Sequence, residues 1–152
     1  MATQLVQMNF YKENVLESTS LKEYQNFVES VTSEASDSVD IYIERLKELT
    51  QENSLNVNIP LLLTGATGMG SESGEFQEIV KKILFQGKPL SSDSIFHMKR
   101  ELGDIIFYWV NACRALDMDP NAVIEENINK LSSRYPGGFS VEKSENRKPN
   151  DL

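Results

Sequence analysis

The sequence predicts an all-helical protein with about five helices. Apolar residues recur every three or four positions along most of the chain. Helix start signals stand before several of these segments, and no segment alternates apolar and polar residues as a strand would. With 152 residues, the chain has the length of one domain. We expect that domain to occupy residues 1–139, with a polar C-terminal tail at 140–152.

The composition limits the partners and the compartment that we expect. A net charge of −8 repels a phosphate backbone, so we expect no nucleic-acid partner. A nucleotide substrate stays compatible, because a divalent cation can bridge carboxylates and phosphates. Cys113 is the only cysteine, which suits a reducing cytoplasm. The N-terminus lacks a signal-peptide pattern and the apolar run 105–110 is too short to cross a bilayer, so we expect a cytoplasmic protein without a membrane partner.

The first helical segments are defined by a start signal and by apolar periodicity. Ser20 and Glu23 form the pattern of a capping box, in which both side chains bind free amides at a helix start. Apolar residues then follow at helical spacing as far as Leu49, either in one long helix or in two helices with a break near residues 33–38. Residues 1–19 suit either a short helix or an arm over a neighbouring subunit.

The next helix has clear ends but an unusual glycine content. Pro60 suits a first helical turn, and Gly87 suits a C-terminal cap. Between them lie four glycines, each of which costs a helix about 1 kcal/mol relative to alanine. These glycines are Gly65, Gly68, Gly70 and Gly74. Either the beginning of this segment is irregular, or something approaches its backbone closely.

Two further helices follow. Ser91 or Ser92 can cap the first of them, whose apolar positions run from residue 95 to residue 116. Asp119 and Pro120 are a capping residue and a first-turn proline for the second, which the Tyr-Pro-Gly-Gly segment at 135–138 ends.

Two acidic motifs carry the functional prediction. Glu72 and Glu75 stand three residues apart in one helix, and Glu101 and Asp104 stand three apart in the next. At this spacing the two acids of a pair share one helix face. Facing pairs would repel each other unless a cation lay between them, and magnesium prefers such oxygen ligands and completes its shell with substrate phosphates. The pattern therefore indicates either a metal site or two solvated helix faces.

Other polar side chains are candidates for roles around these motifs. Glu78 continues the face of the first motif and is either a solvated acid, a further ligand or a proton acceptor. His97, four residues before Glu101, is either a fifth ligand or a surface histidine. Side chains suited to contacts with phosphate, sugar or base are Lys82, Tyr108, Asn127, Lys130 and Arg134. Each has an alternative role, which is helix packing for Tyr108 and an ordinary exposed surface for the others.

These residues resemble the MazG-like branch of the all-α nucleoside triphosphate pyrophosphohydrolases. The similarity covers roughly residues 60–139 and rests on two motifs with 25 residues between them and on later matches, namely 72–75, 101–104, 105–108, 127–131 and 134–136. Ser73 departs from the family, which often has an acid at this position. The departure bears on metal binding and on substrate choice.

The resemblance implies an antiparallel helix bundle that works as a homodimer or homotetramer. It implies hydrolysis of a (deoxy)nucleoside triphosphate, in which water attacks the α-phosphorus and pyrophosphate leaves. Asn127 and Lys130 would contact the phosphates, and magnesium, or manganese in its place, would be the metal. The implied catalytic residues and metal ligands are Glu72, Glu75, Glu101 and Asp104.

Three other functions are alternatives to this one. A di-iron carboxylate bundle needs Glu-x-x-His pairs on two helices, and the only histidine, His97, has a serine three residues before it. A non-catalytic helical interaction module is the main alternative, in which the acids are surface charge and the apolar faces bind a partner. A pyrophosphohydrolase restricted to one nucleotide, such as dGTP, dCTP or dUTP, would serve nucleotide-pool control rather than broad house-cleaning.

Overall fold

The structure is a computed structural model that describes residues 20–51 and 56–146. Within these ranges every regular element is an α-helix, which confirms the predicted fold class. Five helices have 11 or more residues, as predicted, and two are shorter. The helices are α1 (Leu21–Val31), α2 (Glu34–Asp37), α3 (Val39–Gln51), α4 (Ile59–Phe85), α5 (Ser92–Ala115), α6 (Pro120–Arg134) and α7 (Val141–Glu145).

Residue contacts divide the chain into two compact units, with the boundary between Glu48 and Leu49. In the N-terminal unit, Ser20 and Glu23 form the predicted capping box, because the Glu23 amide donates to Ser20 Oγ (3.2 Å) and the Ser20 amide donates to Glu23 Oε2 (2.8 Å). Of the two alternatives for this region, the structure has the break at residues 33–38 rather than one long helix, and the break contains the single turn α2. The predictions for residues 1–19 lie outside the described part, and the single domain over 1–139 stays a prediction.

The second unit contains the long helix α4. Asn58 caps it by accepting a hydrogen bond from the Leu61 amide (3.0 Å), and Pro60 lies in its first turn as predicted. At its other end Gly87 adopts a positive φ of 70°, the conformation that favours glycine after a helix. Helix α5 begins after Ser91, whose Oγ accepts from the Ser94 amide, so the cap is Ser91 rather than Ser92.

The C-terminal elements follow the predicted signals with one addition. Asp119 caps α6 by accepting a hydrogen bond from the Asn121 amide (2.9 Å), and α6 ends at Arg134 before the Tyr-Pro-Gly-Gly segment. The segment predicted as a polar tail contains a short helix, α7, because Ser140 caps it through the Lys143 amide. Residues 147–152 of that tail lie outside the described part.

Helices α4 and α5 form an antiparallel pair, since the Asn58 amide at the start of α4 donates to the carbonyl of Ala115 at the end of α5 (2.8 Å). The alternative of an irregular segment is wrong, because α4 is a continuous helix, and close approach to the backbone is found at Gly65 and Gly68, which are buried. Gly70 and Gly74 have no atom within 4 Å of a built Cβ. A Cβ on Gly65 would lie 3.0 Å from the Ala112 backbone nitrogen.

Apolar side chains remain exposed on the second unit. Helix α6 packs against α5 much less extensively than α4 does. Exposed apolar residues on these two helices include Ile95, Phe96, Leu102, Ile106, Phe107, Ile124, Ile128 and Leu131. In residues 20–51 and 56–146, no helix has both the length and the apolar content that crossing a membrane requires.

Candidate metal centre

Three of the four predicted acidic ligands meet where α4 packs against α5. Glu72 comes from α4, and Glu101 and Asp104 come from α5. One carboxylate oxygen from each lies within 4.8 Å of one from both others. Glu72 and Glu101 are half-buried and Asp104 is exposed, so the group is open to solvent on one side. We call these residues the three-acid group.

The electrostatics of the three-acid group favour a bound cation. The pKa of Glu72 is raised above its ordinary value, first by partial burial and then by the negative charges of Glu75, Asp104 and Glu101. A hydrogen bond with the Glu101 side chain raises it further. Three oxygen donors suit magnesium or manganese, because these ions take oxygen ligands and keep positions for water and phosphate. The residues present therefore fit the predicted metal.

Glu75, the fourth predicted ligand, lies beside the three-acid group and not within it. Its charge nevertheless acts on Glu72, three residues before it on the same helix face. It also lines the groove that adjoins the group. The position is compatible with a ligand that completes the shell or with a group that accepts a proton.

A groove of about 500 Å³ runs along α4 and α5 next to the three-acid group. Glu75 and Glu101 line it, so the groove and the acids are continuous. Ile79 and Ile83 supply apolar surface, and the remaining charged or titratable side chains are Glu78, Lys82, Lys88, Asp93 and His97. The groove gives a substrate bound at the acids a place to extend. Sequence reasoning missed Lys88, which lies in the connection between the two helices, and Asp93, although Asp93 stands four residues before His97 on the helix face that leads to Glu101.

The structure assigns neighbours to Glu78 and His97. Glu78 forms ion pairs with Lys81 and with Lys82, whose Nζ lies 3.3 Å from Oε1. Hydrogen bonds from Lys81 first, and then from Lys82, lower the pKa of Glu78. His97 Nε2 lies 3.5 Å from Asp93, and His97 is outside the three-acid group. Lys82 lines the groove, where a substrate could reach it, and its contact with substrate stays a prediction.

Tyr108 is a packing residue in this structure. Its ring is half-buried and lies against Gly68, where an added Cβ would overlap Cγ, Cδ1 and Cε1 of the ring. It also meets Phe107 edge to face, with ring centroids 5.2 Å apart. The helix-packing alternative is therefore present, and its contact with a sugar or base stays a prediction.

The three-acid group draws on α4 and α5, whereas the remaining candidates for phosphate contacts stand on α6. Asn127 and Lys130 are exposed. Arg134 is half-buried, and its guanidinium lies over the Tyr135 ring, 5.9 Å from the centroid. Their contacts with phosphate stay predictions.

The fold and the site define an all-helical protein with a carboxylate centre suited to a divalent cation. The sequence profile of the MazG nucleotide pyrophosphohydrolase domain matches residues 64–139, which is half of the chain, and the chain belongs to this family. The Gene 37 protein of Mycobacterium phage L5 is 32% identical over 81 residues, which cover 53% of this chain and 71% of that protein. No solved structure matches the chain at a significant level. The resemblance predicted from the motifs is confirmed.

Proposed function

We propose that this protein hydrolyses (deoxy)nucleoside triphosphates to a monophosphate and pyrophosphate with the help of magnesium. The observation that carries the proposal is the three-acid group, in which carboxylates from two helices converge inside the matched domain. In the proposal, Glu72, Glu101 and Asp104 hold the cation and Glu75 completes the set. Magnesium bound there would neutralise charge on the phosphates and make a water molecule more acidic.

The ion pairs of Glu78 narrow the choice of proton acceptor. Glu72, Glu75 and Glu78 are the candidates for removing a proton from the attacking water. Glu78 is a poorer base than Glu72, because its two lysine partners stabilise the charged carboxylate and lower its pKa, whereas the pKa of Glu72 is raised. Glu72 and Glu75 remain candidates, since Glu72 belongs to the three-acid group and Glu75 lines the groove beside it. The Glu78 pairs also hold Lys82 at the groove.

A panel of the common ribo- and deoxyribonucleoside triphosphates tests the proposal. Each would be incubated with the protein and magnesium, and the products separated by ion-exchange chromatography. We expect monophosphate and pyrophosphate from at least one triphosphate, and the Glu101→Gln protein serves as the control for contaminating phosphatases. Cleavage of one deoxynucleotide, such as dGTP, dCTP or dUTP, would indicate pool control, and broad cleavage would indicate house-cleaning. If no triphosphate is cleaved with magnesium or manganese, the result would contradict the proposed enzyme and favour the non-catalytic interaction module.

The exposed apolar faces of α5 and α6 support a homodimer or homotetramer. Ile106 is 57% exposed and Ile128 is 56% exposed, and when such residues form a large apolar patch it usually marks an interface. We expect sedimentation equilibrium to give the mass of a dimer or tetramer. Ile128→Glu should shift the protein toward monomer, whereas Val141→Glu, at a residue that is 67% exposed on α7, should not. A wild-type monomer at micromolar concentration would exclude this assembly.

Lys130→Ala is expected to raise the KM for the triphosphate by about tenfold, the effect of losing one charge-assisted hydrogen bond. Lys130 is exposed on α6, where its ammonium is free to meet phosphate oxygens in a site shared between subunits. Initial-rate kinetics across a substrate titration measure the effect. Lys22→Ala on α1 is the matched control and should leave KM unchanged. An unaltered KM in Lys130→Ala would show that Lys130 is an ordinary surface residue without a role in substrate binding.

A further inference from the structure

Along the interface between α4 and α5, the contacts at Gly65 and Gly68 are followed by the three-acid group. Along α4 the residues that face α5 stand three and four positions apart, which is one helical turn each. Along α5 the facing residues step back by four at a time, as an antiparallel partner requires. The successive levels are Gly65 with Ala112, Gly68 with Tyr108, and Glu72 with Glu101 and Asp104. The Gly68 contact is therefore the level next to the acids.

Gly68 is needed for space and not for its backbone conformation. It lies inside a regular helix, and the glycines with positive φ are elsewhere, at Gly87 and Gly138. Glycine is a poorer helix former than alanine, so its presence here needs another reason. The reason is the Tyr108 ring, because an added Cβ would overlap ring atoms that include Cγ. Cγ is close to the main chain, so the ring cannot clear a methyl group by moving its tip alone.

We propose that Gly68 and Tyr108 are positioning residues for the metal centre. The ring seated on the glycine fixes the separation and register of α4 and α5, and this holds Glu72 within coordinating reach of Asp104. Magnesium and manganese sites are sensitive to such placement, because ligands must be held to within about 0.5 Å and a shift on the order of 1 Å impairs the site. This inference rests on one part of the proposed function, namely that a cation binds at the three-acid group, and not on the hydrolysis reaction.

Gly70 provides a matched control. It lies on the same helix two residues further on, and a Cβ built on it meets no atom within 4 Å. Gly68→Ala and Gly70→Ala therefore make the same chemical change, one into the Tyr108 ring and one into open space. Any general effect of alanine on α4 appears in both variants, and only the first displaces the ring.

The test is the affinity of the full chain for Mn²⁺ alone, measured by electron paramagnetic resonance or calorimetry without nucleotide. We expect Gly68→Ala to weaken Mn²⁺ binding at least about tenfold, the loss typical of disturbing the groups that orient metal ligands. Gly70→Ala should bind like the wild type. Tyr108→Phe keeps the ring and should also keep the Mn²⁺ affinity. A purely structural role would lower the melting temperature of Gly68→Ala without changing its Mn²⁺ affinity, and that result would overturn the proposal.

A reciprocal pair covers the case in which Gly68→Ala does not fold. Tyr108→Ala removes the ring and should weaken Mn²⁺ binding, and adding Gly68→Ala to it should restore part of the affinity, because the new methyl group occupies the vacated space. Wild-type affinity in the Tyr108→Ala protein would overturn the proposal. A wild type that does not bind Mn²⁺ would overturn the metal centre and the positioning role together. If the Mn²⁺ affinities of the variants change as expected but the wild type hydrolyses no nucleotide, the proposed enzyme alone would be overturned and the positioning role supported.

Discussion

Glu101→Gln and Asp104→Asn are each expected to lower kcat for triphosphate hydrolysis by about a hundredfold or more, since a bound metal supplies several kcal/mol of charge stabilisation and each 1.36 kcal/mol is tenfold in rate. Both substitutions keep the size of the side chain and remove its charge. The fold should survive, because Asp104 is exposed and Glu101 is only half-buried. The acids are thus more important for binding a cation than for packing α5. Steady-state kinetics together with circular dichroism measure the two properties separately.

Glu44→Gln is the control for this experiment. It makes the same change as Glu101→Gln at an exposed position of α3, and it should leave kcat unchanged. Loss of activity in all three variants would point to a general effect of lowered charge. Unchanged turnover in both Glu101→Gln and Asp104→Asn would remove the metal assignment, whatever the control does.

Magnesium is expected to raise the melting temperature of the wild type and not that of the Glu101→Gln protein. At a concentration of 100 times Kd, a ligand that binds only the folded state stabilises it by about 2.7 kcal/mol. For a protein of this size that corresponds to roughly 5–10 °C. In the presence of a chelator, Glu101→Gln should have a higher melting temperature than the wild type, because it lacks one of the charges that repel Glu72. Scanning calorimetry with magnesium and with chelator measures both differences.

In the metal-free protein, Glu72 should make a contribution to stability that falls as pH rises. The pKa of Glu72 is raised in the fold, first by partial burial and then by neighbouring acids. Between its ordinary pKa and its raised pKa, the folded state therefore binds more protons than the unfolded state, so stability falls as pH increases through that range. Glu72→Gln should remove this contribution.

Two results of the magnesium experiment would contradict the cation site. One is a wild-type melting temperature that does not change with magnesium, and the other is an equal rise in the melting temperature of the Glu101→Gln protein.

The helices could be predicted from the sequence because their signals are local. The capping box at Ser20, the proline in the first turn of α4 and the Asp119-Pro120 pair each act within a few residues. The short helix α7 was not predicted, since five residues after Ser140 show too little periodicity. The acids could be placed on helix faces by their spacing, but spacing alone does not show which faces meet.

The partners across the α4–α5 interface depend on contacts between distant residues. Gly65 and Gly68 stand on the same face as Glu72, which was the available signal that this face meets α5 closely. The sequence did not show that Tyr108 fills the space at Gly68 or that two lysines hold Glu78. In the proposed function, the contribution of α6 would require a second copy of the chain, for which one sequence carries no direct signal.

Hydrolysis in ¹⁸O-labelled water tests the central claim most directly. The triphosphate that is cleaved fastest would be incubated with the protein and magnesium, and mass spectrometry would locate the label in the products. Attack of water on the α-phosphorus predicts one ¹⁸O atom in the monophosphate and none in the pyrophosphate. Label in the pyrophosphate would show attack on the β-phosphorus, and a diphosphate with labelled orthophosphate would show attack on the γ-phosphorus. Either result would contradict the proposed reaction.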